Sequence, residues 1–519
     1  MRAFLLLFLV ALAGCAGAPD RTTNCGVLAD RPVPGGTVTA AAVVDEDDGL
    51  PAYCRVRGVI EPRIGYEARL PLAGWNGKYY QAGCGGFCGS VLPDKPGFSN
   101  TINEALKLGY AAITTDAGHS GGLGDASWAA DDPAAVEVYA HRAIPLTHRF
   151  GTALVARYYG AAPRYDYFGG CSNGGRMGAM AAQRYPALFD GILAGGSVLD
   201  LSGNGGIYGP WVVQSNTDRD GERILTRENF AHKLPLLSAE VLAQCDGADG
   251  RADGLISAPR ACAPDLEALP ACGDGAATGE RVCFKPAERR VLERWYAGPR
   301  DSAGRQLYPG MPPGSERYWA VWFLDAGGRT APGNALGSDY PKYLGLAGQV
   351  GEDWSALDFD FDADPARLAQ SASLLNAIDP DLAAFRAAGG KLLMWHGWAD
   401  PLVLPDQSVD YYRRVAETAG GEPDEFLRLF MIPGHGHCWE LPAQTPDRFN
   451  PIRVLERWVE EGRPPERIAA SAADPQAARV PEALLCPWPD SAVAIAGSDV
   501  EPEQMERMEQ TERVCASRN

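Results

Sequence analysis

The sequence has no strongly basic segment. Asp and Glu total 66 against 47 Lys and Arg, for a net charge of −19 at pH 7. A chain so acidic has no electrostatic footprint for a phosphate backbone, which excludes nucleic acid as a partner. The acidity itself reads as solubility. Long apolar runs are also scarce. The stretch from Ala3 to Ala13 falls short of the ~20 residues a spanning helix needs, and no other stretch is a better candidate. Internal repeats and low-complexity tracts are absent, which excludes a solenoid or a largely disordered chain. What remains is an ordinary globular composition, 46% hydrophobic and 22% charged. At 519 residues the chain can build a large core and more than one domain.

The N-terminus reads as a targeting segment. Arg2 precedes the apolar run, which ends Leu12-Ala13-Gly14-Cys15. This resembles a bacterial lipoprotein signal over residues 1–15, which implies cleavage before Cys15 and its lipidation; the alternative is an ordinary signal peptide cleaved a few residues later. The expected location is outside the cytoplasm, with membrane contact only through that anchor. Thirteen cysteines less Cys15 leave an even number, in a compartment where disulfides persist. Local spacing suggests Cys245–Cys262, Cys272–Cys283 and Cys486–Cys515, with Cys171–Cys438 as a long-range bond. Cys25–Cys54 and Cys84–Cys88 are favoured for the rest, and the other pairings of these four stay open.

Short apolar runs followed by helical stretches recur along the chain. Lys78–Gly83, Ala111–Asp116, Tyr165–Phe168, Ile192–Gly195, Lys391–Trp395 and Leu427–Ile432 read as buried strands. Arg176–Tyr185 reads as a helix, with Met177, Met180, Ala181 and Tyr185 at helical spacing. Such alternation predicts a parallel sheet covered on both faces, hence an α/β fold. The pattern stops after Leu199 and resumes near Lys391. The interval, rich in Gly, Pro, Trp and Tyr, reads as a separate inserted domain stapled by local disulfides.

Two dipeptides carry the chemistry. Ser172 lies in Gly170-Cys171-Ser172-Asn173-Gly174, a G-x-S-x-G turn between an apolar strand and a helix. Such an elbow lifts a serine clear of the sheet, and the flanking glycines avoid a clash. The hydroxyl needs a base to become nucleophilic. His437 follows the strand ending at Ile432, and its neighbour Cys438 selects it over His435. A Cys171–Cys438 bond would hold nucleophile and base together. Asp400 follows the strand ending at Trp395 and is the expected acid, with Asp406 as its competitor. His119 and His396 are assigned to loop or core hydrogen bonds. The order serine, acid, histidine is that of an α/β-hydrolase. The oxyanion needs two N–H donors, expected from Asn173 and from Gly86 in the Gly83-Cys84-Gly85-Gly86 loop. Asp246, Asp249 and Asp253 crowd one glycine-rich loop beside Cys245, an oxygen-donor pattern that suits Ca²⁺ without EF-hand spacing.

Gly-Cys-Ser-Asn-Gly-Gly-Arg, His437-Cys438 and the Asp-rich loop resemble the tannase and feruloyl esterase family, over about Cys25 to Cys515. The resemblance implies an α/β-hydrolase domain from 25–202 and 379–519, carrying a large lid domain at 203–378. It implies a Ser172–His437–Asp400 triad beside a Cys171–Cys438 disulfide. It implies structural Ca²⁺ held by Asp246, Asp249 and Asp253 with the backbone carbonyls of Arg251 and Leu255; no organic cofactor is expected. The implied activity is hydrolysis of small aromatic acyl esters, foremost feruloyl or hydroxycinnamoyl, with galloyl esters and terephthalate monoesters as alternatives. A binding protein for plant phenolics with an inactive triad is the reading from another class. Specificity is less legible. Arg329 is the stand-in for a carboxylate clamp, and Tyr318, Trp319, Trp322 and Phe323 are either ring-stacking or core residues.

Overall fold

A computed structural model of the chain describes residues 21–30, 32–94, 102–272, 282–438, 445–474, 476, 480, 482–494 and 513–516. The expected signal, with Cys15, lies outside the described residues. The architecture is α/β, built on a nine-stranded sheet. Its strands are β1 (Gly36–Val44), β2 (Tyr53–Ile60), β3 (Ile64–Pro71), β4 (Lys78–Ala82), β5 (Ala111–Thr115), β6 (Tyr165–Cys171), β7 (Gly191–Gly195), β8 (Lys391–Gly397) and β9 (Leu427–Ile432). The spatial order is β1-β2-β3-β5-β4-β6-β7-β8-β9. From β5 to β9 all neighbours pair in parallel, as the apolar runs predict.

The sheet is nevertheless mixed. β1, β2 and β3 pair antiparallel with one another, and β3 pairs antiparallel with β5. The wholly parallel expectation fails here for a physical reason. β2 and β3 are joined by residues 61–63 alone, a connection that antiparallel neighbours can use and parallel ones cannot, and β3 carries the charges Glu67 and Arg69. Glu67 and Arg69 are buried because they pair. Glu67 accepts from Arg57 Nε at 2.7 Å and from Arg69 Nε at 2.8 Å, and Arg69 reaches Asp94 at 2.7 Å.

Side-chain alternation splits the core into two layers. Leu392 and Met394 of β8 join one buried cluster, with Phe150 and Leu154 from the helix Ala143–Tyr159. Leu393 and Trp395 join the other, with Leu455 and Trp458 from the helix Pro451–Glu461. The chain leaves the sheet at Gly195 and returns at Lys391; among the described residues no strand of the large sheet lies between. This interval keeps a small buried cluster of its own, Leu346, Phe359 and Leu368, and shares the rest of its core with the sheet. Leu201, Tyr208, Trp295 and Trp319 belong to the same buried cluster as Met177 and Met394. All six disulfides pair as expected. Among the described residues no helix is long and apolar enough to cross a membrane.

Candidate active site

The elbow forms where β6 ends. Cys171 is its last residue, Ser172 follows at φ 60° and ψ −125°, and the helix Asn173–Arg184 begins at once. The helix thus starts three residues before the expected Arg176, because the glycine pair is its first turn. A β-carbon on Gly170 would lie 2.6 Å from the Gly174 carbonyl carbon, so this close approach requires glycine. The turn is fixed to β7, with Ser172 N–H donating to Gly195 O at 2.9 Å.

Asp400 sits in the loop after β8 and is fully buried. Its Oδ2 lies 2.7 Å from His437 Nδ1, and its Oδ1 accepts from the N–H groups of Leu402 and Val403, each at 2.9 Å. Burial alone would raise this carboxyl, but His437 and His396 beside it hold it well below the usual carboxylate range. His396 is fully buried behind the pair. Its Nε2 lies 2.9 Å from Val403 O and 3.3 Å from Asp400 Oδ2, and its Nδ1 is 2.8 Å from Ser408 Oγ. A carbonyl can only accept, so Nε2 carries a proton and donates to it. His396 therefore orients Asp400, a contact its placement in the sequence did not reveal.

The competitors are engaged elsewhere. Asp406 opens the helix Asp406–Ala419 and pairs with Arg260 Nε at 2.9 Å. His435 forms its own buried pair, Nδ1 to Asp447 Oδ2 at 2.9 Å. The loop residues on either side of the candidate nucleophile and base are covalently joined, since Cys171 and Cys438 form a disulfide with Cα atoms 6.0 Å apart. Gly196 is at the centre of the group. A β-carbon there would lie 3.2 Å from Cys171 Sγ and 3.7 Å from both Asp400 Oδ2 and His437 Cε1.

Ser172, Asn173 and Gly86 line one cavity. Among the described residues, neither the Gly86 nor the Asn173 backbone N–H has an internal acceptor. Other cavity walls, unremarked in the sequence, are mainly apolar: Val198, Leu201, Tyr208, Leu336 and Tyr340 from the inserted interval and its approach, and Leu402 and Val403 from the loop after β8.

The four adjacent aromatics divide their tasks. Phe323 lines the cavity, and Trp322 packs edge-on against His437 with centroids 5.5 Å apart. Trp319 is core, packed on Trp295, and the Tyr318 hydroxyl donates to Gly434 O at 2.8 Å, holding the loop before His437. Arg329 is exposed in a turn and does not line the cavity.

The Asp-rich loop is ordered by its own donors. Asp246 accepts from Gly254 N–H, Asp249 from Arg251 N–H, and Asp253 from Leu255 N–H and, at 2.6 Å, from the Arg251 guanidinium. The oxygen chemistry suits Ca²⁺, but among the described residues no three acidic, His or Cys side chains converge on a metal position. In this arrangement the cation on Asp253 is Arg251.

The Tannase and feruloyl esterase family model matches residues 48–507. The chain belongs to this family. An uncharacterised esterase of Xanthomonas campestris pv. campestris is 32% identical, over 96% of this chain and 93% of its own. The mono(2-hydroxyethyl) terephthalate hydrolase of Piscinibacter sakaiensis is also 32% identical, over 93% of this chain and 88% of its own. The crystal structure of an esterase from Aspergillus oryzae superposes with a TM-score of 0.77 at 25% identity, covering 96% of this chain and all of the other. The chain is therefore a carboxylic ester hydrolase with the α/β-hydrolase fold.

Proposed function

We propose that this tannase-family esterase hydrolyses aromatic acyl esters, foremost feruloyl and other hydroxycinnamoyl esters, through an acyl-enzyme on Ser172. His437 takes the Ser172 proton as Oγ attacks the ester carbonyl. Asp400 holds the imidazole with Nδ1 toward itself and stabilises the imidazolium that forms. The N–H groups of Gly86 and Asn173 receive the oxyanion. Collapse of the tetrahedral species breaks the ester C–O bond, and His437 returns its proton to the leaving alkoxide. Water, deprotonated by His437, then attacks the acyl-enzyme and releases the acid. The observation that carries this reading is the 2.7 Å Asp400–His437 hydrogen bond, in a loop tied to the elbow by Cys171–Cys438.

The cavity supports the choice of acyl group. Among the described lining residues no side chain is charged, so nothing there would pair the free carboxylate of a terephthalate monoester. The polar side chains are already committed. Tyr208 OH donates to Pro401 O at 2.6 Å, Tyr340 OH reaches Ser371 Oγ, and the Asn204 amide binds Leu402 O and Gln407. Each galloyl hydroxyl buried here without a partner costs about 1–3 kcal/mol. A hydroxycinnamoyl group brings fewer hydroxyls and fits better.

The test is a matched panel of methyl ferulate, methyl p-coumarate, methyl gallate and mono(2-hydroxyethyl) terephthalate. The hydroxycinnamates should lead in kcat/KM by about 10-fold or more, the weight of one unpaired hydroxyl. A lead for the gallate or the terephthalate monoester would overturn the assignment. Binding without turnover on every ester would favour the phenolic-binding reading.

Two further parts belong to this proposal. The chain is exported and anchored through lipidated Cys15, which six disulfides support as a matter of redox compartment. Intact mass of membrane-extracted protein tests it; an unmodified Cys15 contradicts it. The Asp246–Leu255 loop binds Ca²⁺ once Arg251 leaves Asp253. Thermal unfolding after chelation and Ca²⁺ re-addition tests this, and an unmoved midpoint contradicts it.

A further inference from the structure

The Gly86 loop is gripped by residues that no motif singles out. A peptide plane carries its C=O and the next N–H on opposite sides. Gly85 O accepts from Cys88 N–H at 3.0 Å, inside the small ring closed by the Cys84–Cys88 disulfide. The Gly86 N–H, in the same plane as Gly85 C=O, therefore points away from that ring, and Gly86 lines the cavity with Ser172. The next plane is held at both ends. Gly86 O lies 3.3 Å from the Tyr139 hydroxyl, and Phe87 N–H donates to Leu123 O at 2.8 Å. The plane after it is held by His119, whose Nε2 lies 2.7 Å from Phe87 O. His119 itself is stacked on Trp128 at 3.5 Å between ring centroids.

The same assembly reaches the second donor. Asn173 Nδ2 donates to Cys84 O at 3.0 Å. Asn173 Oδ1 accepts from Arg176 Nε at 2.7 Å and lies 3.1 Å from the Tyr139 hydroxyl. Arg176 is fully buried, and among the described residues no carboxylate touches it. Neutral acceptors solvate it instead: Ala140 O and Leu375 O at 2.9 Å each and Tyr139 O at 3.3 Å. Its guanidinium also lies 5.0 Å from the Tyr139 ring centroid. A buried cation without a counter-ion is costly. The hydroxyl of Tyr139 lies within reach of both donor-bearing residues, and its single proton is shared between Gly86 O and Asn173 Oδ1. Tyr139 lies in the π-helical turn Val138–Arg142, the kind of local widening that recurs at functional sites.

We propose that Tyr139 and His119 are positioning residues that fix the direction of the Gly86 N–H, with Arg176 locking Tyr139 and Asn173 to the elbow helix. This rests on the reading of Gly86 and Asn173 as the oxyanion donors. Freed from Tyr139, the Gly86–Phe87 plane keeps only the Phe87 N–H to Leu123 O bond, and the neighbouring Gly86 N–H is aimed less firmly. Removing an oxyanion donor outright costs about 10²–10³ in kcat; loosening one costs about 10-fold.

The experiment compares the full chain with Tyr139→Phe and His119→Ala. Methyl ferulate supplies kcat and KM, and a phenylethylboronic acid supplies affinity for a tetrahedral adduct. Tyr139→Phe keeps the ring over Arg176 and drops only the hydroxyl. It should lower kcat about 10-fold, leave KM within about twofold, and weaken the boronate in step with kcat/KM. His119→Ala should do the same, and it decides the matter if Tyr139→Phe does not fold. A folded variant of either kind with unchanged kcat, or with a kcat loss that the boronate does not follow, overturns the proposal. The parent's own labelling by a fluorophosphonate keeps the two readings apart. An unlabelled Ser172 would sink the site, whereas a labelled Ser172 with indifferent variants would sink only the positioning role.

Discussion

Gly196→Ala perturbs the centre of the proposed site with a single methyl group. Gly196 has φ +44°, in the left-handed region, and its N–H donates to Trp395 O at 2.8 Å. An alanine there costs about 1–2 kcal/mol of backbone strain. The new methyl would sit 3.2 Å from Cys171 Sγ, closer than carbon and sulfur accept without movement. Its distances to Asp400 Oδ2 and His437 Cε1, 3.7 Å each, are ordinary contacts. The push therefore falls on Cys171, and through the chain on Ser172. A shift of about half an ångström between nucleophile and base should lower kcat about 10-fold, given that 1 Å can cost 10². The methyl touches no cavity wall named for the acyl group, so KM should hold within about twofold. The assays are steady-state kinetics on methyl ferulate and denaturant unfolding. A folded Gly196→Ala protein with parental kcat would refute the idea that this glycine spaces the disulfide from the triad.

Asp400→Asn should preserve the fold and lower kcat by about 10⁴, because an amide favours the wrong His437 tautomer; parental kcat would refute the Asp400 role. Replacing both Cys171 and Cys438 with Ala opens a loop of 267 residues. The chain-entropy account gives a loss of up to about 5–6 kcal/mol, and kcat should fall where the protein is still folded; unchanged turnover would make the bond structural alone. Partial burial of His119 pushes its pKa down to about 4, against 6.5 in the unfolded chain. A histidine with a depressed pKa adds stability above pH 6.5 that is lost as pH falls toward 4. Between pH 7 and 4 the parent should therefore lose about 3 kcal/mol more stability than His119→Gln; parallel pH curves would refute this.

Much of the fold and site was legible because the residues involved have one dominant constraint. β4 to β9 are buried on both faces, so they read as apolar runs. Ser172, Asp400 and His437 stand at the ends of such strands, and the paired cysteines mark two of them. β2 and β3 were hidden because Glu67 and Arg69 enter the core as a mutually paired set, and pairing across space leaves no periodic trace. The inserted interval looked independent because its local disulfides are visible in the sequence. Its shared core with the sheet is made of long-range contacts that are not. The cavity walls were missed for the same reason: Tyr208 and Tyr340 are ordinary aromatics until the chain folds them over Ser172. Arg176 stood in plain view within the elbow motif. Only burial without a carboxylate partner marks it as unusual, and that is a property of the fold.

The central claim is that Ser172 is an activated nucleophile. The most direct measurement is fluorophosphonate labelling of the full chain, with the modified peptide mapped by mass, beside a Ser172→Ala control. The account predicts one adduct, on Ser172, and a folded control that neither labels nor turns over methyl ferulate. Labelling at another residue, or a Ser172→Ala protein with parental ester hydrolysis, would contradict it.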